Sequence, residues 1–159
     1  MMQLAEKYYR LLVRLSSSLQ SPFLLAVRLY WGWQFLQGGW GKLTHISTTI
    51  ENFTNMGVPA PSFNAHFIGL LETTGGLLLI LGLASRVIAV PLIINMLTAY
   101  VIADREALHS IFSEPDKFYG AAPYTFLFAS LIVFIFGPGL FSLDTLIARQ
   151  RAKAKTALA

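Results

Sequence analysis

The chain has 159 residues, 55% hydrophobic and 13% charged, with a net charge of +4 at neutral pH. Soluble domains carry about 25% charged residues, so a mean hydropathy of +0.58 leaves too little polar surface for a water-soluble fold of this length. The absence of cysteine excludes disulfide exchange, thiolate nucleophiles and cysteine-ligated metals.

The basic residues sit at the ends of apolar segments and make no folded basic face for nucleic acid. In Met1–Gln20, Leu4, Tyr8, Leu11, Leu15 and Leu19 form one helical stripe, opposed by Gln3, Lys7, Arg10, Arg14 and Ser17. This predicts an amphipathic helix over 1–20, lying in the membrane interface with its cations toward anionic headgroups. A signal peptide fits less well, because the next apolar stretch is long, contains Arg28 and has no small-x-small cleavage site.

Pro22 opens the first predicted span, residues 22–43, where a missing N–H would be unpaired in any case. Arg28 shares a face with Gly32, Phe35 and Gly39. Gln34 lies about a third of a turn away, and Trp40 beside Lys42 reads as an interface anchor. The connection over 44–63 is too long for a structureless loop. Ile46, Ile50 and Phe53 share one helical face, Thr48 and Glu51 have capping-box spacing, and Met56-Gly57-Val58-Pro59 is a helix stop. We expect a short amphipathic helix on the outer surface, its apolar face buried against lipid or the tops of the spans.

The second span, 64–83, has the ~20 residues that cover a ~30 Å hydrocarbon core, yet it carries Glu72 near its middle. Such a carboxylate costs a few kcal/mol by insertion scales and therefore faces protein or water. Ala65, Gly69, Thr73 and Gly76 make a small-residue stripe beside it. Gly32, Gly39, Gly69 and Gly76 are thus predicted helix-packing positions. After the tight turn at Ala84-Ser85-Arg86, a third span over 86–103 contains Pro91 and Asn95. A polar connection leads to the fourth, 120–137, with Pro123 in its first turn. Gly137-Pro138-Gly139 ends it, and Ser142-Leu143-Asp144 opens a basic helical tail over 142–159.

The expected fold is an all-α integral membrane protein, one domain over 1–159. It is a four-transmembrane-helix bundle with amphipathic interfacial helices at the N-terminus, in the first outer loop and at the C-terminus. Lys7, Arg10, Arg14, Arg86, Arg149, Arg151, Lys153 and Lys155 fall on one side, against Lys42, Arg105 and Lys117 on the other. That asymmetry predicts a multi-pass protein with both termini cytoplasmic.

Arg28, Gly38-Gly39-x-x-Lys42, Gly57-Val58-Pro59, Glu72-x-x-Gly75-Gly76, Leu81-Gly82-x-x-x-Arg86, Gly137-Pro138-Gly139 and Ser142-Leu143-Asp144 together resemble the DoxX family. The resemblance runs from Arg28 to Asp144 and implies a four-helix protein of the bacterial inner membrane. It also implies a link to membrane oxidoreductase systems, including the quinone-linked oxidation of thiosulfate.

By span geometry Glu72 lies ~12 Å below the outer edge and Arg28 ~9 Å above the inner one. The two are predicted as a buried pair, with Asn95 nearby in depth and Gln34 a further polar candidate. One reading is a structural pair that fixes helix register. The other is a polar site for a quinone carbonyl or a proton relay. His45, His66 and His109 fall in separate segments without metal-ligand spacing and are expected to be interfacial or loop residues, so no metal is assigned. The favoured function is an accessory subunit of a quinone-linked membrane redox system, with catalysis by this chain alone not expected. The alternative is a non-catalytic scaffold or anchor for a soluble partner enzyme. A proton-coupled transporter is third, since no internal repeat or broken-helix pair is visible. No cofactor motif is evident; quinone is the cofactor implied. The partners are the lipid bilayer and either a redox partner subunit or a homo-oligomer, with no nucleic acid.

Overall fold

A computed structural model describes residues 2–157; Met1, Leu158 and Ala159, the ends of the two predicted terminal segments, lie outside it. The described residues form eight α-helices and no strand: α1 (Met2–Thr44), α2 (Ile46–Asn55), α3 (Pro61–Leu81), α4 (Ser85–Ile102), α5 (Arg105–His109), α6 (Pro115–Gly120), α7 (Pro123–Phe136) and α8 (Leu143–Ala157). α1 packs on α3, α3 on α4, α4 on α7 and α7 on α1, which closes a ring of four helices. α2 lies against α1 and α3, while α5 and α6 carry the chain from α4 to α7.

α3 and α4 are each long and apolar enough to cross a membrane, and α7 is a shorter apolar helix. The placement of side chains agrees. Arg28, Glu72, Asn95, Ser85 and Ser130 are buried inside the ring, while Phe67, Leu70, Leu77, Val87, Ile94 and Ile135 are exposed on its outside. An apolar exterior of that extent is far beyond the patches that soluble monomers show, and buried charge at bundle depth is the membrane pattern. The apolar core between the helices is small: Val27, Phe35, Leu79, Leu92, Met96, Ala129 and Val133.

With lipid outside, close packing rather than water exclusion must hold the helices together. The α1–α3 seam shows how. A Cβ on Gly76 would stand 2.5 Å from the carbonyl oxygen of Gly32 and from the amide of Leu36. One on Gly32 would stand 2.9 Å from the Gly76 oxygen, one on Gly69 2.8 Å from the Leu43 side chain, and one on Gly39 would collide with the backbone N–H of Thr73. The four predicted packing glycines therefore lie in a single seam. At that seam the two backbones touch.

Three features differ from the sequence-based expectation. The first is the predicted break between an interfacial helix over 1–20 and a span beginning at Pro22: α1 runs through Pro22 without interruption. An internal proline loses one hydrogen bond and crowds the carbonyl four residues back. Four of the six residues before it are serines, which are weaker helix formers, and Ser16 and Ser18 bond back to the carbonyls of Val13 and Arg14 within the helix. A local loss does not end a helix that is otherwise continuous on both sides. The second is the capping box of Thr48 and Glu51. α2 starts earlier, at Ile46 after His45, so Thr48 is already inside the helix. α1 extends to Thr44 and the chain turns in one residue; Thr49 Oγ1 secures the corner by donating to the carbonyls of Lys42 and His45. Ile46, Ile50 and Phe53 are half-buried, and the stop is made at Gly57, whose φ is +73°. The third is the polar connection over 104–119, for which the sequence offered no element and which holds α5 and all but the last residue of α6.

The opposite end of the ring is stapled by the beginning of the tail. α3 stops at Gly82, whose φ of +66° suits glycine. Ala84 and Ser85 then begin α4, and their N–H groups donate to the carboxylate of Asp144 at 2.8 and 3.0 Å. The Asp144 N–H donates in turn to the Gly82 carbonyl at 3.0 Å. Ser142 Oγ accepts the Thr145 N–H at 3.2 Å and caps α8. A helix cap of this kind contributes about 1 kcal/mol.

Candidate functional site

A cavity of about 440 Å³ lies at the α2 end of the ring. α1 supplies Phe35, α3 Ile68, α4 Met96 and Ile102, and α7 Phe126, while Phe53 and Val58-Pro59 of the α2 segment close it over. The walls are mostly apolar, with Gln34, Asn64, Thr98 and Asp104 among the lining residues, and one polar cluster is hydrogen-bonded together. Lys42 donates to Glu72 Oε2 at 2.5 Å, and the Asn95 amide donates to Glu72 Oε1 at 3.0 Å. Three helices contribute one group each, and both carboxylate oxygens are used.

Local sequence explains the arrangement. Glu72 stands on the α3 face beside the glycine seam and keeps only 7% of its side-chain exposure. Lys42 is in the last turn of α1, where the helix dipole favours a cation. Its side chain retains 32% exposure, so the aliphatic stem crosses the rim while the ammonium reaches inward. Gly38, one turn earlier, lies beside the pair. A Cβ there would lie 3.6 Å from Glu72 Oε2 and 3.8 Å from Lys42 Nζ, at ordinary contact distance.

The predicted Arg28–Glu72 pair is not formed. Arg28 is buried at the other end of the ring, where it donates to the carbonyls of Leu79 at 3.3 Å and Phe141 at 2.5 Å. Leu79 belongs to the last turn of α3, which presents surplus carbonyls and the negative end of the helix dipole. Backbone carbonyls thus take the two guanidinium hydrogen bonds, and Nε is left without a partner among the described residues. A side chain on Gly82 would collide with the guanidinium, so the glycine that ends α3 also makes room for Arg28.

Of the four polar candidates, Glu72, Asn95 and Gln34 line the one cavity, and Arg28 does not. Sequence reasoning missed Lys42, treating it as a rim cation. The signal was available in the Gly38-Gly39-x-x-Lys42 spacing, which puts a bare helix surface one turn below a long cationic stem. His45 Nδ1 lies 3.2 Å from the Gly41 carbonyl and His66 Nδ1 2.8 Å from that of Ser62. His45, His66 and His109 are all exposed. Among the described residues no three histidine, aspartate or glutamate side chains converge.

A helical ring with an apolar exterior, internal charge and a polar cluster in an apolar cavity defines an integral membrane protein of the all-α class. The DoxX family pattern matches residues 23–105, a stretch that includes Arg28, Lys42, Glu72 and Asn95. The chain belongs to the DoxX family. It is 32% identical over 136 residues to the uncharacterized membrane protein Rv3486 of Mycobacterium tuberculosis, covering 81% of this chain and 83% of that one. It is 30% identical over 134 residues to the inner membrane protein YqjF of Escherichia coli, covering 83% and 97%. A third relative, "Putative oxidoreductase CatD" of Bacillus subtilis, is 28% identical over 127 residues, covering 80% and 88%. No solved structure gives a significant match.

Proposed function

We propose that the protein is an accessory subunit of a membrane redox system and that its cavity binds the ring of a lipid-soluble quinone. The observation that carries this reading is the Lys42–Glu72–Asn95 cluster at one end of an apolar cavity of about 440 Å³. That volume falls within the roughly 300–1,000 Å³ of small-molecule sites, which join apolar walls to a few convergent polar groups. The residues suit the group. Lys42 and Asn95 carry N–H donors for a ring carbonyl, and Phe35 and Phe126, edge-to-face at 4.7 Å, supply aromatic wall. A bound quinone would supply two-electron, two-proton redox chemistry. The chain itself binds and orients the ring, excludes water, and holds charge at Glu72. Electrons are exchanged with a partner subunit, because the chain has no cysteine or nucleotide-binding fingerprint of its own. The printed name of the Bacillus subtilis relative leans the same way.

The test is purification of the full chain from native membranes, followed by solvent extraction and quantification of bound quinone. The wild type is expected to carry quinone and to melt higher when a short-chain quinone is added. Asn95→Leu, which keeps the ion pair, is expected to lower its affinity about tenfold, near the loss for one hydrogen bond made within a charged cluster. A folded wild type that neither retains nor responds to quinone would leave the scaffold reading in its place.

This reading includes the topology. The four helices of the ring are the spans of a bacterial inner-membrane protein, with α2, α5 and α6 outside and both termini cytoplasmic. The support is that the α1 extension, Arg86 and α8 place eight of the twelve cations at one end. Reporter fusions at Ala159 and within Asp104–Tyr119 are expected to report opposite sides. An exported Ala159 would reverse the assignment.

A further inference from the structure

α8 is bonded to the rest of the molecule by its first turn, through Asp144, and among the described residues no helix packs extensively along it. Its surface pattern is specific. With about 100° of rotation per residue, Leu143, Leu146, Ile147, Gln150 and Ala154 fall within about 60° of one line. Arg149 and Lys153 border that stripe on one flank, and Arg151 and Lys155 on the other. Ala148, Ala152 and Thr156 face away. Leu143, Leu146 and Ile147 remain 37%, 51% and 38% exposed.

We infer that α8 is a binding site for anionic phospholipid and lies in the plane of the inner leaflet. Its apolar stripe enters the acyl boundary, and its two rows of cations take the headgroup phosphates. The argument is charge complementarity joined to shape. Cations on both borders of an apolar stripe match a flat surface that is oily below and anionic above. A soluble acidic partner has no use for the stripe, and a partner helix has no use for the second flank. The N-terminal part of α1 makes the contrast, since Lys7, Arg10 and Arg14 all lie on one flank of its stripe. The seat of α8 is also fixed. Asp144 is bonded to the start of α4, and Phe141, three residues earlier, accepts from the buried Arg28. The first turn is thereby held at the inner rim of the ring, where the leaflet surface must be. This inference rests on the proposed topology and not on the quinone reading.

The chain lacks cysteine, so single cysteines can be labelled without background. The full-length protein is labelled with an environment-sensitive fluorophore at Ile147→Cys or at Ala152→Cys and placed in nanodiscs. The discs are either phosphatidylcholine alone or phosphatidylcholine with phosphatidylglycerol. With phosphatidylglycerol present, the label at 147 is expected to shift to the blue and to be quenched by a lipid-borne quencher, while the label at 152 stays aqueous. In phosphatidylcholine alone, or in salt near ~1 M, where the screening length is about 3 Å, the label at 147 should return to water. Each cation near an anionic leaflet is worth about fivefold in binding. The fourfold variant R149Q/R151Q/K153Q/K155Q should therefore behave in anionic discs as the wild type does in neutral ones, with an unchanged melting temperature of the ring. The inference fails if the label at 147 is aqueous in both lipids, if it is immersed equally in both, or if the label at 152 enters with it.

Discussion

Lys42→Met is expected to destabilise the detergent-solubilised protein by about 3 kcal/mol, and adding Glu72→Leu should recover most of that loss. Removing one member of a buried pair costs about 3–5 kcal/mol because a charge is left uncompensated, whereas replacing both by apolar groups can be nearly neutral. The low end applies, since the Lys42 side chain keeps 32% of its exposure. The single variants should also be unequal. Lys42→Met strands a carboxylate that is 7% exposed, with only the Asn95 amide beside it. Glu72→Leu instead releases an ammonium on a flexible stem at the rim, which can turn out to water. Its cost should be about 1 kcal/mol, near that of one lost hydrogen bond. The check is a double-mutant cycle on melting curves, with Arg28→Leu as the control partner. Arg28 and Glu72 share no contact, so their effects should add. Additive losses for Lys42 and Glu72, or coupling between Arg28 and Glu72, would contradict the geometry.

Gly39→Ala and Gly76→Ala should each be far more damaging, and Gly38→Ala should not. Overpacking costs about 1–3 kcal/mol where neighbouring side chains can move. The groups that a Cβ would meet at Gly39 and Gly76 are backbone atoms of the facing helix, and these cannot turn aside. The α1–α3 seam would have to open, so a loss above ~3 kcal/mol is expected, seen as little monodisperse protein on size exclusion. Gly38 is exposed and meets only the ion pair, at 3.6 Å or more. Alanine there gains up to ~1 kcal/mol of helix propensity and leaves the protein folded. Equal damage at neighbouring Gly38 and Gly39 would mean that helix flexibility, not close approach, selects glycine.

The helical ring was legible because its determinants are local or periodic. Small residues at helical spacing mark a seam on each helix separately, and proline, glycine and charge at segment ends mark the stops. The inward placement of Gln34, Glu72 and Asn95 was legible for the same reason: a polar group within an apolar helix must face protein rather than lipid. The pairings were not. Sequence assigns a depth to each Cα, but Lys42 carries its charge several ångströms away from its own, back into the ring. For Arg28 the missing knowledge was chemical. Its acceptors are carbonyls, which every residue has and no sequence pattern distinguishes. Only the fold brings the last turn of α3 and the segment at Phe141 to the same place. The continuity of α1 through Pro22 was hidden differently, since proline opens many helices and its tolerance inside one depends on the context of both flanks.

The staple at the α8 end of the ring has a consequence for biogenesis. Arg28 waits for a carbonyl 113 residues further along the chain, and the N–H groups that begin α4 wait for a carboxylate about 60 residues on. All four helices of the ring are made before either partner emerges. A nascent chain stopped short of Phe141 has all four ring helices, yet it holds a buried guanidinium with half its acceptors missing and a helix start without its cap. Completion of the tail is thus the event that closes the ring. Truncated copies, by contrast, are left open at that end.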